Sequence, residues 1–284
     1  MFSTYTKDVQ ENMKRFLIYF FGIGDEPEFS NFTLQHFLPI LIAAGVIWLI
    51  WFFRNKLRDS KHEVKIRYVM AFVMIIAEMS YFWRLVGVTK LNANPIDHLP
   101  ITVCGWSVIF CSFMVIGKSQ TLFDIAYFWL FSGTLFALLT PTVITYTGFT
   151  RFRYYQFWLE HTMGYLAIFY MIFVHKMRPT IMSAIKSYVC LAVLAVIAYS
   201  ANVMLGSGAN YLYMAKPEST PSVLDILPPN FALRLFVMAS VITFLFALSY
   251  LPWFIKDVKA KKRAQAQEQA PAAQADEPAD PQAS

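Results

Sequence analysis

Three histidines, one cysteine and one acid stand out because each sits among apolar residues. His36, His98 and His161 fall near the starts of the apolar stretches 37–53, 99–117 and 157–175; Cys104 lies within the second of these, and Glu78 within another, 66–86. A thiol paired with an imidazole supports nucleophilic acyl transfer: the imidazole takes the proton from sulfur, and an acid or amide orients the imidazole. His98 and Thr102 are four residues apart, on one helical face. His98 and Cys104 are six apart, about 240° around the helix axis, so the two diverge. The imidazole partner of Cys104 would therefore be His161, on another element. The competing reading is packing, since free cysteine commonly behaves as a small buried apolar residue. Cys111 and Cys190 lie deeper in apolar runs and read as core. No CxxC is present, and no disulfide framework is expected.

Asp97, His98, Glu160 and His161 are ligand types, but no HExxH spacing occurs, so neither a metal nor another cofactor is expected. No GxxxxGK[ST] or GxGxxG motif supports nucleotide chemistry.

These residues need elements to hold them. The chain is 57% hydrophobic and 15% charged, where a soluble domain carries about a quarter charged residues. Apolar stretches of roughly 18 to 22 residues recur, the length that crosses about 30 Å of hydrocarbon. Without water to pair with the backbone, each should be helical. The spans read as roughly 37–53, 66–86, 99–117, 123–141, 157–175, 184–205 and 231–255. The expected fold is all-α, a polytopic membrane bundle of seven transmembrane helices.

Residues 5–21 place Val9, Met13, Phe16, Leu17 and Phe20 on one helical face with Lys7, Lys14 and Arg15 off it, the pattern of a helix lying in the interface. The expected organisation is an interfacial helix and linker over 1–30, the transmembrane domain over 31–257, and a basic juxtamembrane segment with a disordered tail over 258–284. The first long apolar run begins near residue 37, too late for a cleavable signal, and reads as a retained span.

The net charge of +6 sits at span ends and reports topology, not a nucleic-acid partner. Arg54, Lys56, Arg58, Lys61, Lys65, Arg67, Lys118, Lys176, Arg178, Lys186 and the run Lys256–Arg263 share one side. That side should be cytoplasmic, with the N-terminus outside and the C-terminus inside. His62 and His175 then fall on the cytoplasmic side and read as solvated. His36, His98 and His161 come to the outer ends, with Cys104, Glu78 and Asn202 one to two turns beneath. Outer loops add Arg151, Arg153 and GSGANYLYMAKP (206–217), which holds Asn210 and Tyr211. A buried acid is costly in a span and usually faces a bundle interior. An outward-opening polar cavity with its floor near Glu78 is inferred. The alternative is a set of separate caps and interhelical bonds with no shared cavity. The tryptophans and tyrosines near this boundary, Trp83, Trp106, Trp158, Tyr154, Tyr155, Tyr211 and Tyr213, read as an aromatic belt.

Six segments recur in order as a known pattern: FSNFTLQHF; Glu78 followed by Trp83 and Arg84; LPITVCGW; GTLFALLTP; FRYYQFWLEH; and NVMLGSGANYLYMAKP with SVLDILPP. Together, over about residues 29–255, they resemble the YwaF-like bacterial integral membrane proteins, related to the animal transmembrane protein 164 family. The resemblance implies a seven-helix membrane protein. It also implies, from the animal relatives, transfer of a fatty acyl chain between phospholipids through a cysteine with a nearby histidine. On this chain His161, in FWLEH, matches the histidine, and Cys104 matches the cysteine of the bacterial branch. Thr102 stands where that branch usually carries histidine, and Ile101 where the animal cysteine falls.

The expected function is thus a lipid acyltransferase or acyl hydrolase of the bacterial cytoplasmic membrane, acting on membrane lipid or a lipidated, acyl-chain substrate. His161 would be general base, Cys104 nucleophile, and His98, Glu78 or Asn202 orienting groups. Asn210 or backbone amides at 206–210 would supply oxyanion donors. Tyr211, Arg153, Thr102 and His36 would contact substrate. A noncatalytic transporter, or a membrane subunit that binds a ligand or partner, is the alternative.

Overall fold

The computed structural model describes residues 2–141, 143–214 and 226–275. The end of the 206–217 motif, with Lys216, and residues 222–225 of SVLDILPP lie outside the described residues.

Every regular element among the described residues is helical. The α-helices are α1 (Phe2–Phe21), α2 (Leu34–Phe52), α3 (Arg54–Arg58), α4 (Glu63–Gly87), α5 (Val103–Gly117), α6 (Gln120–Trp129), α7 (Leu135–Leu139), α8 (Phe152–Phe173), α9 (Ile181–Leu205) and α10 (Phe231–Ala275). A five-residue π-helical turn, Leu130–Thr134, joins α6 to α7, so the two form one interrupted rod. Five helical rods among the described residues are long and apolar enough to cross a membrane: Leu34–Phe52, Glu63–Gly87, Gln120–Leu139, Ile181–Leu205 and Phe231–Gln267. The two remaining expected spans differ for physical reasons. Residues 99–102 are not helical; Thr102 caps α5, its hydroxyl accepting from Gly105 N at 3.1 Å, and leaves only 15 helical residues, a rise of about 22 Å. Helix α8 is long enough but carries Arg153, Gln156, Glu160 and His161 along its length, all buried.

Helix α8 can carry those groups because α2, α4 and α5 pack around it. The main apolar core lies where α5, α6, the π turn and α8 meet, with Val108, Met114, Phe128, Trp129, Leu130, Ile168 and Met171 fully or almost fully buried. Polar ties mark both ends of the bundle. At one end Arg67 donates to the carbonyls of Val115 and Ile116, both at 2.6 Å, closing the C-terminus of α5. There too Asp124 accepts from Ser183 and Lys186, joining α6 to α9. His175, expected to be solvated, is instead half-buried here, its Nε2 2.7 Å from Glu63 Oε1. Glu63 opens α4, close enough to the end of α8 to reach it, a pairing no single stretch of sequence displays.

At the other end the C-terminus of α1 is docked on the bundle. Arg84 of α4 donates to Phe21 O at 2.6 Å and Gly22 O at 3.1 Å. Arg151 donates to Tyr19 O at 2.7 Å and grips Glu28 through Nε and Nη2. That guanidinium holds the Glu28 carboxyl below its ordinary range, with Gly148 N–H adding to the effect and partial burial opposing it. Helix α10 runs on to Ala275, past residue 264, where an unstructured tail is expected from the sequence. Up to Pro271 the segment, rich in Ala, Gln, Lys and Arg, is made of good helix formers able to extend a helix already nucleated by the membrane-length rod.

Candidate functional site

The interior near the α1 end is polar. Arg153, Gln156 and Glu160 lie along one face of α8, spaced three and four residues apart, and all are buried. Gln156 donates from Nε2 to Glu160 Oε2 at 2.7 Å and to Ala77 O of α4 at 2.8 Å. Its Oε1 accepts a close contact from Arg153 Nη1, which also lies 3.8 Å from Glu160 Oε2. The guanidinium sits over Tyr81 of α4, 4.5 Å from the ring centroid, a cation–π contact strengthened where water is scarce.

Glu78 faces this group from α4. Its carboxyl is within hydrogen-bonding reach of Glu160, and it fills the space over Gly105 of α5. A methyl at residue 105 would meet Glu78 Oε1 at 2.6 Å and Thr102 Oγ1 at 3.0 Å. Glycine is therefore required by the close approach.

Cys104 belongs to the same neighbourhood. It is half-buried, with Thr134, the last residue of the π turn, beside its sulfur and Glu78 and Glu160 as its charged neighbours. The Thr134 hydroxyl is fully buried and makes no hydrogen bond. The π turn approaches α5 closely: a methyl on Gly133 would lie 2.8 Å from Val103 Cγ1. Such turns inside α-helices are frequent at functional sites. Tyr165 borders Cys104 from α8, its own hydroxyl donating to Leu130 O at 2.5 Å.

His161 is buried on α8, with Nδ1 2.8 Å from Phe157 O. A carbonyl can only accept, so Nδ1 carries the hydrogen and Nε2 the lone pair in the neutral ring. Its charged neighbours are Glu160 and Arg153.

The other sequence candidates lie farther out. His98 hydrogen-bonds through Nδ1 to Tyr81 Oη at 2.7 Å, on the edge of the cluster. Partial burial pushes its imidazole below the usual range, with Asp97 pulling the other way. His36 has both ring nitrogens engaged, Nδ1 by Phe32 N at 3.0 Å and Nε2 by Leu138 O at 2.7 Å, an arrangement that ties α2 to α7. Asn202 clamps the backbone of Tyr211 by two bonds, 2.7 and 3.1 Å. Tyr211 Oη in turn holds Ile96 O and Leu99 N, strapping residues 206–214 across the lead into α5. Asn210 sits in that strap, its carbonyl accepting from Tyr213 N at 3.1 Å.

Glu78, Glu160 and Arg153 are therefore gathered, with Thr102 beside Glu78 at Gly105 and His98 at their edge through Tyr81; Cys104 on α5 and His161 on α8 each lie near this group, and His36, Asn202, Asn210 and Tyr211 build the surroundings. Glu160 appeared in the sequence only as a possible ligand, and Gln156, Tyr81 and Thr134 did not stand out. The readable signal was the spacing of Arg153, Gln156 and Glu160 on one helical face. No group of three or more His, Cys, Asp or Glu fit to hold a metal is present among the described residues. The two most distinct clefts, about 470 and 420 Å³, lie at the basic end and near α2 and α3, away from the acid pair.

Fold and site define a multi-pass helical membrane protein with an acid pair and an arginine buried inside and a half-buried thiol near them. Residues 31–250 match the TMEM164 family, and the chain belongs to that family. No curated protein and no solved structure matches it.

Proposed function

We propose that this protein crosses the bacterial cytoplasmic membrane seven times, N-terminus outside, and transfers or hydrolyses an acyl chain of a membrane lipid near the outer leaflet. The excess of Lys and Arg at the end holding α3 supports that orientation. The observation that carries the chemistry is the packing of α5, which holds Cys104, against α8, where the bond from His161 Nδ1 to Phe157 O leaves Nε2 with its lone pair.

In this reading Cys104 attacks the ester carbonyl of a lipid while His161 Nε2 takes the thiol proton. The acyl C–O bond breaks, and the departing lipid oxygen receives that proton, leaving a thioester. An acceptor hydroxyl, of another lipid or of water, then gives its proton to His161 and attacks the thioester; the C–S bond breaks, and His161 returns that proton to the departing Cys104 sulfur. Thr134 supports the thiolate as a hydrogen-bond donor, and Glu160 with Glu78 offsets charge on the imidazolium. Gln156 and Arg153 hold the acids.

The test is acyl movement in vesicles containing purified protein and a phospholipid with a tagged chain. Transfer or release of the chain should disappear in Cys104→Ala and His161→Ala. A ligand-binding or transport role is the second reading, favoured by the full internal pairing of Gln156. It predicts that lipids stay intact while lipid retention changes.

A further inference from the structure

The cleft of about 470 Å³ at the basic end is lined by five cations: Arg54, Arg58, Lys176, Arg178 and Lys256. They come from three places in the chain: the α2–α3 corner, the link from α8 to α9, and α10. Asp257 offsets one of them, bound by Arg178 at 2.6 Å. The two corner arginines are held in place without being neutralised. Arg58 donates to Val174 O at 2.6 Å and Phe173 O at 2.9 Å, and Arg54 to Trp51 O at 2.7 Å. Carbonyl partners fix a guanidinium but leave its charge available.

The remaining wall is apolar and aromatic. Trp51, Ile172, Phe173 and Trp253 line it, with Lys256 Nζ 4.9 Å from the Trp253 ring centroid. Trp51 and its neighbour Phe52 are exposed at the end of the apolar helix α2, so the cleft opens on a surface that acyl chains would cover. Cations over an apolar wall at the membrane boundary match one ligand chemistry: a phosphate ester carrying hydrocarbon.

We propose that this cleft binds the phosphate headgroup of an anionic membrane lipid, with the lipid's glycerol and chains against Trp51 and Phe173. The site lies at the opposite end of the bundle from Glu78 and does not rest on acyl transfer.

Full-length protein in nanodiscs of phosphatidylcholine with graded phosphatidylglycerol or cardiolipin tests it, with retained lipid counted by native mass spectrometry. Retention of the anionic lipid over phosphatidylcholine is expected. Affinity should fall about fivefold for each cation removed, hence about a hundredfold in Arg54→Gln/Lys176→Gln/Lys256→Gln. Lys256→Arg should retain binding. These side chains are at the boundary, and the triple variant should melt with the parent in zwitterionic lipid, separating lost binding from lost folding. Equal retention of phosphatidylcholine, or unchanged affinity in the triple variant, overturns the proposal. In a second arm, inorganic phosphate and glycerol phosphate are titrated at millimolar concentration. No displacement of the lipid is expected; displacement by either, with no preference among lipids, assigns the cleft to a soluble anion and overturns the lipid assignment.

Discussion

Glu78 of α4 and Glu160 of α8 meet carboxyl to carboxyl inside the bundle, above a glycine of a third helix, α5. The contact joins the three helices that surround the thiol and leaves no room for a side chain at residue 105. Gly105→Ala should therefore displace the Glu78 carboxyl and destabilise the protein by about 1–3 kcal/mol, the usual range for overpacking. Shortening the acid in Gly105→Ala/Glu78→Ala should recover part of the loss, measured by thermal unfolding in detergent.

Arg153 is the cation that balances this pair. Its removal in Arg153→Met leaves buried acids without their partner, and breaking a buried pair costs about 3–5 kcal/mol. Arg153→Lys should rescue little, because an ammonium cannot both lie over Tyr81 and reach Gln156 and Glu160. Adding Glu160→Gln to Arg153→Met should restore stability relative to the single variant. A double variant no better than the single would disprove the pairing.

His36 marks the difference between a buried histidine and a working one. Both nitrogens are satisfied by backbone groups. His36→Leu leaves the Phe32 N–H and the Leu138 carbonyl, both part-buried, without their partner and should cost about 1 kcal/mol. Lipid turnover per folded molecule should be unchanged, whereas His161→Ala should abolish turnover with the fold retained.

Glu28 and Arg151 fasten the α1 linker to the loop before α8. Because the folded-state pKa of Glu28 lies below its ordinary value of 4.5, the pair stabilises the fold fully above pH 4.5. That contribution fades as the pH drops through the depressed folded value. Glu28→Gln should lower the unfolding midpoint by a few degrees at pH 7, and the gap to the parent should close on acidification. A gap that widens at acid pH would reverse the assigned sign.

Much of the scaffold could be read before any coordinates. Long apolar runs announce helices because the backbone has no other partner in hydrocarbon, and the runs at α2, α4, α9 and α10 place those helices well. Thr102 after Pro100 marks the true start of α5, a cap that hydropathy alone overruns. Glu78 was visible as an acid within a span, and its company was not. Counting spans brings helix ends to a common side; it does not say that α4, α5 and α8 are neighbours or how each is rotated. The pairings Glu78 with Glu160, Tyr81 with His98, and Glu63 with His175 all depend on that rotation. Thr134 escaped notice because only the π turn directs it to Cys104.

The most direct measurement is a search for an acyl-enzyme. Purified protein is given a phospholipid with an alkyne-tagged acyl chain, quenched, and mapped by peptide mass spectrometry. A hydroxylamine-labile chain on Cys104, absent in Cys104→Ala and slowed in His161→Ala and Thr134→Val, is the predicted result. Lipid turnover that persists undiminished in Cys104→Ala, with no adduct on the parent protein, would contradict the account.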